Sequence, residues 1–145
     1  MKPREWTFTL AVDPATIGSA GGATKGLLTM SMLARSESFK ASAWLPPAGM
    51  GVELAIRLRF AVPKTRLVRP AKDWESPQEG EPCGAVWSGD CAGKAKAVVA
   101  ALTRAKFWPD ERYVSRIEVE KMWTRGRGRI EVCVRPHGGG EAIRT

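Results

Sequence analysis

Residues 52–62, VELAIRLRFAV, alternate without interruption. Val52, Leu54, Ile56, Leu58 and Phe60 fall on one side, and Glu53, Ala55, Arg57, Arg59 and Ala61 on the other. Side chains of a strand point alternately to its two faces. This run is therefore a strand with one face in a core and the other partly wet. Such a strand needs paired neighbours and a cover for its apolar face.

The chain offers both. Residues 6–12 set Trp6, Phe8, Leu10 and Val12 opposite Thr7, Thr9 and Ala11, before Asp13-Pro14 ends the strand. Residues 113–123 alternate Ile117, Val119 and Lys121 against Arg116, Glu118 and Glu120. After the turn Gly126-Arg127-Gly128, residues 129–135 return with Ile130, Val132 and Val134 inward. A short strand is predicted where Leu28, Met30 and Met32 alternate with small or polar residues, beyond a glycine-rich loop over 18–26. A short helix is predicted over 36–44, with Ser36 as N-cap and Phe39 and Ala43 four apart. The main helix is predicted over 91–105, where Ala95, Val98, Val99 and Leu102 form an apolar stripe. Residues 63–88 carry four prolines and many charges and make a long loop, a kind usually either functional or disordered. This order predicts one α+β domain over 1–135: a small, mostly antiparallel or mixed sheet with two helices on one face. Residues 136–145 read as a flexible tail.

The chain has 145 residues, enough for a real core. It contains no run of about 18 apolar residues, so no membrane-spanning helix is expected. The N-terminus lacks the apolar block of a signal peptide, which points to a cytoplasmic protein. Cys83, Cys91 and Cys133 have no CxxC spacing, which argues against a disulfide framework or a zinc site. Lys and Arg number 23 against 15 Asp and Glu, a net charge of +8. Such an excess suits a polyanion, with nucleic acid the first candidate, although a generally basic surface has the same composition.

The chemistry concentrates in residues 89–114. Asp90 precedes the main helix. It suits an N-cap, and also an oxygen ligand for Mg²⁺ beside a phosphate. Asp110 and Glu111 follow the helix, as a solvated turn or as the rest of an acidic cluster. A helix of about fifteen residues is about 22 Å long. Asp90 and Glu111 meet within one chain only if 106–110 runs back along it, a stretch that reaches about 17 Å when extended. Otherwise the second carboxylate comes from another subunit. Lys96 is either solvated or placed to stabilise charge on a phosphate. Lys64, Arg66 and Arg69 in the long loop, Lys94 near the helix start, and Arg125, Arg127 and Arg129 at the hairpin tip are the expected nucleic-acid contacts. Neither 18–26 nor 89–95 has the spacing of a phosphate-binding loop. Trp87, Trp108 and Trp123 suit base stacking, but packing is the commoner fate of an indole. His137 stands beside the glycine tail, and the sequence offers no Ser/His/Asp constellation.

With these residues in view, GDCAGKAKAVVAAL followed by FWPDERYV resembles the signature of the RusA-type Holliday junction resolvases. These are small, often prophage-encoded endonucleases whose motif runs roughly D-x-D-N-L-x-K-A-x-x-D-A-L and then D-D-x-x-V. The most specific piece is ALTRAKFWPDERYV, and FAVPKTR and TRGRGRIEV also suit the family. The similarity covers about 97–134 and is looser over the first fifty residues. It implies a homodimeric, Mg²⁺-dependent nuclease (Mn²⁺ also serving) that binds four-way or otherwise branched double-stranded DNA and cuts paired strands. Asp90 matches the first aspartate of the motif, Lys96 its lysine, and Asp110 and Glu111 its later acidic pair. The implied roles are metal binding by Asp90, Asp110 and Glu111, and catalysis by Asp90, Lys96 and Glu111. The chain departs from the motif at Ala92, at Gly93-Lys94 and at Ala100, so the stripe 92, 96, 100 keeps its lysine and lacks both acids. A two-metal site relies on several carboxylates. Two further readings therefore stand beside the nuclease: a RusA-like DNA-binding dimer without catalysis, and a basic RNA-binding module.

Overall fold

The alternating run at 52–62 is the centre of a four-stranded sheet. The computed structural model describes residues 5–17, 25–40, 51–62, 78–82 and 91–137. They form β1 (Trp6–Leu10), a 3-10 turn (Pro14–Thr16), α1 (Lys25–Lys40), β2 (Gly51–Ala61), α2 (Cys91–Arg104), a second 3-10 turn (Glu111–Tyr113), β3 (Val114–Thr124) and β4 (Arg129–His137). The sheet order is β1-β4-β2-β3. β4 is antiparallel to both β1 and β2, and β2 is parallel to β3. A parallel pair needs a long crossover, and α2 lies on it. This is the expected α+β arrangement, in its mixed form.

The even residues of β2 meet the inward residues of β1 and β4 and both helices in one core. Leu54, Ile56, Leu58, Ile130, Val132 and Val134 pack there with Met30 and Ala34 of α1 and Val98 and Leu102 of α2. Both helices therefore cover the same face of the sheet.

One expectation fails. Residues 28–32 are not a strand, and the helix predicted over 36–44 begins much earlier. Both fall in α1, which ends at Lys40; residues 41–44 lie outside the described set. Its fully buried positions are Met30 and Ala34, four apart, as one helical face requires. Leu28 and Met32 are exposed on other sides. With apolar residues around the helix, hydrophobic spacing does not separate period 2 from period 3.6. The predicted tail also begins late, because β4 continues to His137.

The end of α2 determines where the acidic turn goes. Lys106 N donates to Thr103 O (3.0 Å) and Phe107 N to Leu102 O (3.2 Å). Lys106 has φ 68°. This pairing, with a left-handed residue between, is a Schellman cap. Phe107 then stacks on Phe8 with centroids 5.2 Å apart. Trp108 is buried and donates from Nε1 to Thr103 Oγ1 at 2.7 Å. The chain is thus pinned into the core at the helix end and does not run back along it. A lysine in the left-handed region carries a Cβ cost that glycine avoids, so Lys106→Gly is expected to stabilise the fold by about 1 kcal/mol, read as a higher denaturation midpoint.

Candidate nucleic-acid interface

The sheet has two ends, and the expected functional residues divide between them. At one end, Lys94 Nζ lies 6.0 Å over the Phe60 ring, near the finish of β2. At the other, Val114 pairs with Val52 at the start of β2. Eight strand residues separate these levels, about 26 Å.

The first end gathers the start of α2, the Pro14–Thr16 turn and the β3–β4 hairpin. Lys94, expected at the nucleic acid, is inside the protein. It is 4% exposed and donates from Nζ to Pro14 O (2.8 Å) and Ile17 O (2.6 Å). Its ammonium pairs Ile17 O and gives Pro14 O a second donor beside Ile17 N (3.2 Å), and so it ties the turn to α2. The hairpin presses on the same turn. A Cβ on Gly128 would lie 2.8 Å from Asp13 Cγ, so a side chain there would push the Asp13 carboxylate aside. Arg125 and Arg127 are exposed at the tip. Arg129 is less available. Its Nε donates to Glu131 Oε2 (3.2 Å) and its Nη1 to Thr124 Oγ1 (3.1 Å). Lys64, Arg66, Arg69 and Asp90 lie outside the described residues; Cys91, the neighbour of Asp90, opens α2.

Glu79, which the sequence did not single out, stands beside these arginines. Its Oε1 accepts from Arg125 N (2.9 Å) and Thr124 Oγ1 (3.0 Å), and its Oε2 from Arg59 Nη1 (3.0 Å). The Arg125 amide, with the Thr124 hydroxyl and the Arg129 and Arg59 charges, holds the Glu79 carboxyl below its usual range despite some desolvation. For Glu131, burial pushes the carboxyl up, but hydrogen bonds and charges from Arg59 and Arg129 outweigh it and leave it low.

Positions 92, 96 and 100 face away from the core. Ala92 and Lys96 are exposed and Ala100 is partly so. The stripe that carries acid, lysine, acid in the RusA motif is therefore a surface stripe, with Lys96 its charged member. Arg104 and Lys106 extend the cationic surface along α2.

The other end holds the acidic turn. Asp110 caps Glu111–Tyr113 and accepts from Arg112 N at 2.8 Å. Both of its oxygens are also engaged by the Arg112 guanidinium, at 3.2 and 3.1 Å. That side-chain hydrogen bond, then the Arg112 amide, keep the Asp110 carboxyl below its usual range. Glu111 is exposed. The fold-back that would bring residue 111 to the Cys91 end does not occur, since α2 alone separates its ends by about 20 Å. Among the described residues, no three Asp, Glu, His or Cys side chains converge as metal ligands.

His137 does have company. Ser115 Oγ is 2.6 Å from its Nδ1, and Glu53 Oε2 is 3.8 Å from its Nε2. Ser115 also donates to Val52 O at 3.2 Å. Both Ser115 contacts are met when Nδ1–H donates to Oγ and Oγ–H to the carbonyl. That leaves the hydroxyl no base, so the trio is a tie and not a nucleophile. It joins β2, β3 and β4 at the register shift between Val52 and Glu53. Only the fold brings these three residues together.

The sheet face away from the helices is a lattice of paired charges. Arg57 meets Glu120 (3.6 Å), Arg59 meets Glu131 (2.6 Å), Arg116 meets Glu118 (2.6 Å) and Arg135 meets Glu53 (2.6 Å). Apart from Arg59, whose guanidinium also reaches Glu79, cations balanced in this way give little field for a phosphate. Trp108 and Trp123 are both buried and offer no stacking surface, while Trp87 lies outside the described residues. No described helix is long and apolar enough to cross a membrane. In comparison with known proteins, the sequence matches no family model and no curated protein.

Proposed function

We propose that the protein is a RusA-like, structure-selective endonuclease. It would act on Holliday junctions or other branched double-stranded DNA in recombination and repair, as a cytoplasmic homodimer using Mg²⁺ or Mn²⁺. The observation that supports this best is the company kept by the start of α2. The exposed Arg125 and Arg127 stand at the same end of the sheet as Cys91, next to the motif's first acid. Cations able to grip phosphate thus lie at the same end of the sheet as Cys91, the sequence neighbour of the residue the motif assigns to chemistry. Lys96 faces outward on the same helix. Glu111 is at the far end, so its carboxylate reaches an Asp90 only in a second chain. Asp90 and Glu111 are therefore assigned to one shared site, each from a different subunit.

A second reading, a RusA-like dimer that binds DNA without cutting it, is favoured by one specific observation. Asp110, the neighbouring acid, has both oxygens held by Arg112. Alanine at 92 and 100 removes the other first candidates. Incubating a labelled four-way junction with the protein and Mg²⁺ or Mn²⁺, beside Asp90→Asn, separates the two. The nuclease reading expects cleavage by wild type and its loss in the variant. A band shift with no cleavage by either supports the binder, and preference for single-stranded RNA over the junction contradicts both.

A further inference from the structure

Glu79 reaches the sheet from the connection between β2 and α2. Its segment, 78–82, is laid along the edge of β3. Gly80 N donates to Trp123 O (2.9 Å), Trp123 N donates to Glu81 O (2.8 Å), and Pro82 bridges to Met122. Gly80 takes φ +83°, a conformation glycine adopts without cost, and this turns the Glu79 side chain's segment toward the sheet.

What receives the carboxylate is a built oxyanion receptor. A backbone amide (Arg125), a hydroxyl (Thr124) and a guanidinium (Arg59) converge on its two oxygens, and Arg129 Nη2 stands 3.8 Å away. Thr124 is fully buried, and the Arg59 side chain is only 14% exposed. Neither depends on Glu79 for its place. Arg59 Nε is fixed by Glu131 Oε1 at 2.6 Å, and Arg129 by Glu131 Oε2 and Thr124. The receptor is thus assembled by β2, β3 and β4, while its occupant comes from elsewhere and is about half exposed. A carboxylate and the two free oxygens of a phosphodiester offer similar paired acceptors to such a fork. The charged side chains paired here are Arg59 and Arg129 with Glu79 and Glu131, a net charge of 0 that becomes +1 without Glu79.

We propose that this receptor is a binding site for a backbone phosphate of nucleic acid, and that Glu79 occupies it as an internal phosphate mimic until nucleic acid displaces it. The inference rests on the nucleic-acid-binding half of the function proposed above and is independent of cleavage. The tethered carboxylate competes at high effective concentration, so it lowers the apparent affinity of any phosphate that needs the same donors.

The test measures binding of a fluorescein-labelled four-way junction by anisotropy across a salt series, with melting curves as the folding control. Glu79→Ala is expected to bind about tenfold tighter than wild type, with a salt slope steeper by about one. Glu79→Gln keeps an acceptor for the Arg125 amide without the charge and is expected to gain about threefold; it carries the test if the alanine variant does not fold. Adding Arg59→Met to either variant is expected to abolish the gain. Unchanged or weaker binding by the folded Glu79 variants overturns the inference and leaves the DNA-binding reading intact. If no form binds the junction, that reading fails, and calorimetry with inorganic phosphate decides the inference alone. Phosphate binding to Glu79→Ala that is absent from the Arg59→Met double variant supports the receptor, and no phosphate binding overturns it. Where the junction does bind, competition by inorganic phosphate shows that free phosphate is also accepted, and its absence assigns the site to the polymer; the Arg59-dependent gain supports the receptor either way.

Discussion

Lys94→Ala is expected to destabilise the protein by about 3–5 kcal/mol, lowering the melting temperature by roughly 10 °C. Two buried carbonyls, Pro14 O and Ile17 O, lose the donor that reaches them at 2.8 and 2.6 Å. A channel the width of a lysine stem is left beside Phe60. Lys94→Met refills that channel but takes the ammonium from Ile17 O and leaves Pro14 O with only the Ile17 amide, so it is expected to recover only part of the loss, about 1–2 kcal/mol. The folded fraction of either variant should bind DNA with an unchanged salt slope, because this ammonium faces no solvent. A lysine on the DNA surface would behave in the opposite way: melting would be unchanged and the slope would fall by about one. Thermal melts and a salt titration on the same variants distinguish the two outcomes.

The contrast shows what a sequence makes legible. β2, β4 and α2 follow from spacing within single segments, because each buries one clear face; β3 follows from its alternation, although its buried residues are the consecutive Met122, Trp123 and Thr124. α1 does not, since Leu28, Met32 and Phe39 put apolar side chains where the helix faces outward. Lys94 was read by its charge. A signal for its burial was nonetheless present: Lys94 heads the line Lys94, Val98, Ala101 and Leu102, spaced as one helical face, and all four are buried. Glu79 had no such signal. Its partners lie at positions 59, 124, 125 and 129, and nothing local to residue 79 brings them together. The same holds for Ser115, His137 and Glu53, which meet only because β2 lies between β3 and β4.

The candidate site divides along the same line. The motif over 89–114 was legible as helix, turn and strand, and it folds as such from Cys91 onward. The path of the turn was not, because it depends on Phe107 and Trp108 entering the core. That entry, capped at Lys106, carries Glu111 away from the start of α2. Of the two arrangements left by the helix length, the fold-back is absent, so the proposed site needs its second carboxylate from a second subunit.

Mixing two inactive variants tests that claim directly. Asp90→Asn and Glu111→Gln are each expected to abolish cleavage of a four-way junction as pure proteins. A mixed dimer carries both substitutions at one shared site and none at the other. After co-refolding in equal amounts, random pairing under twofold symmetry should restore about a quarter of the wild-type sites. Recovery of cleavage to that level is the predicted result. Cleavage by wild type with no recovery in the mixture would contradict the shared site and the account with it.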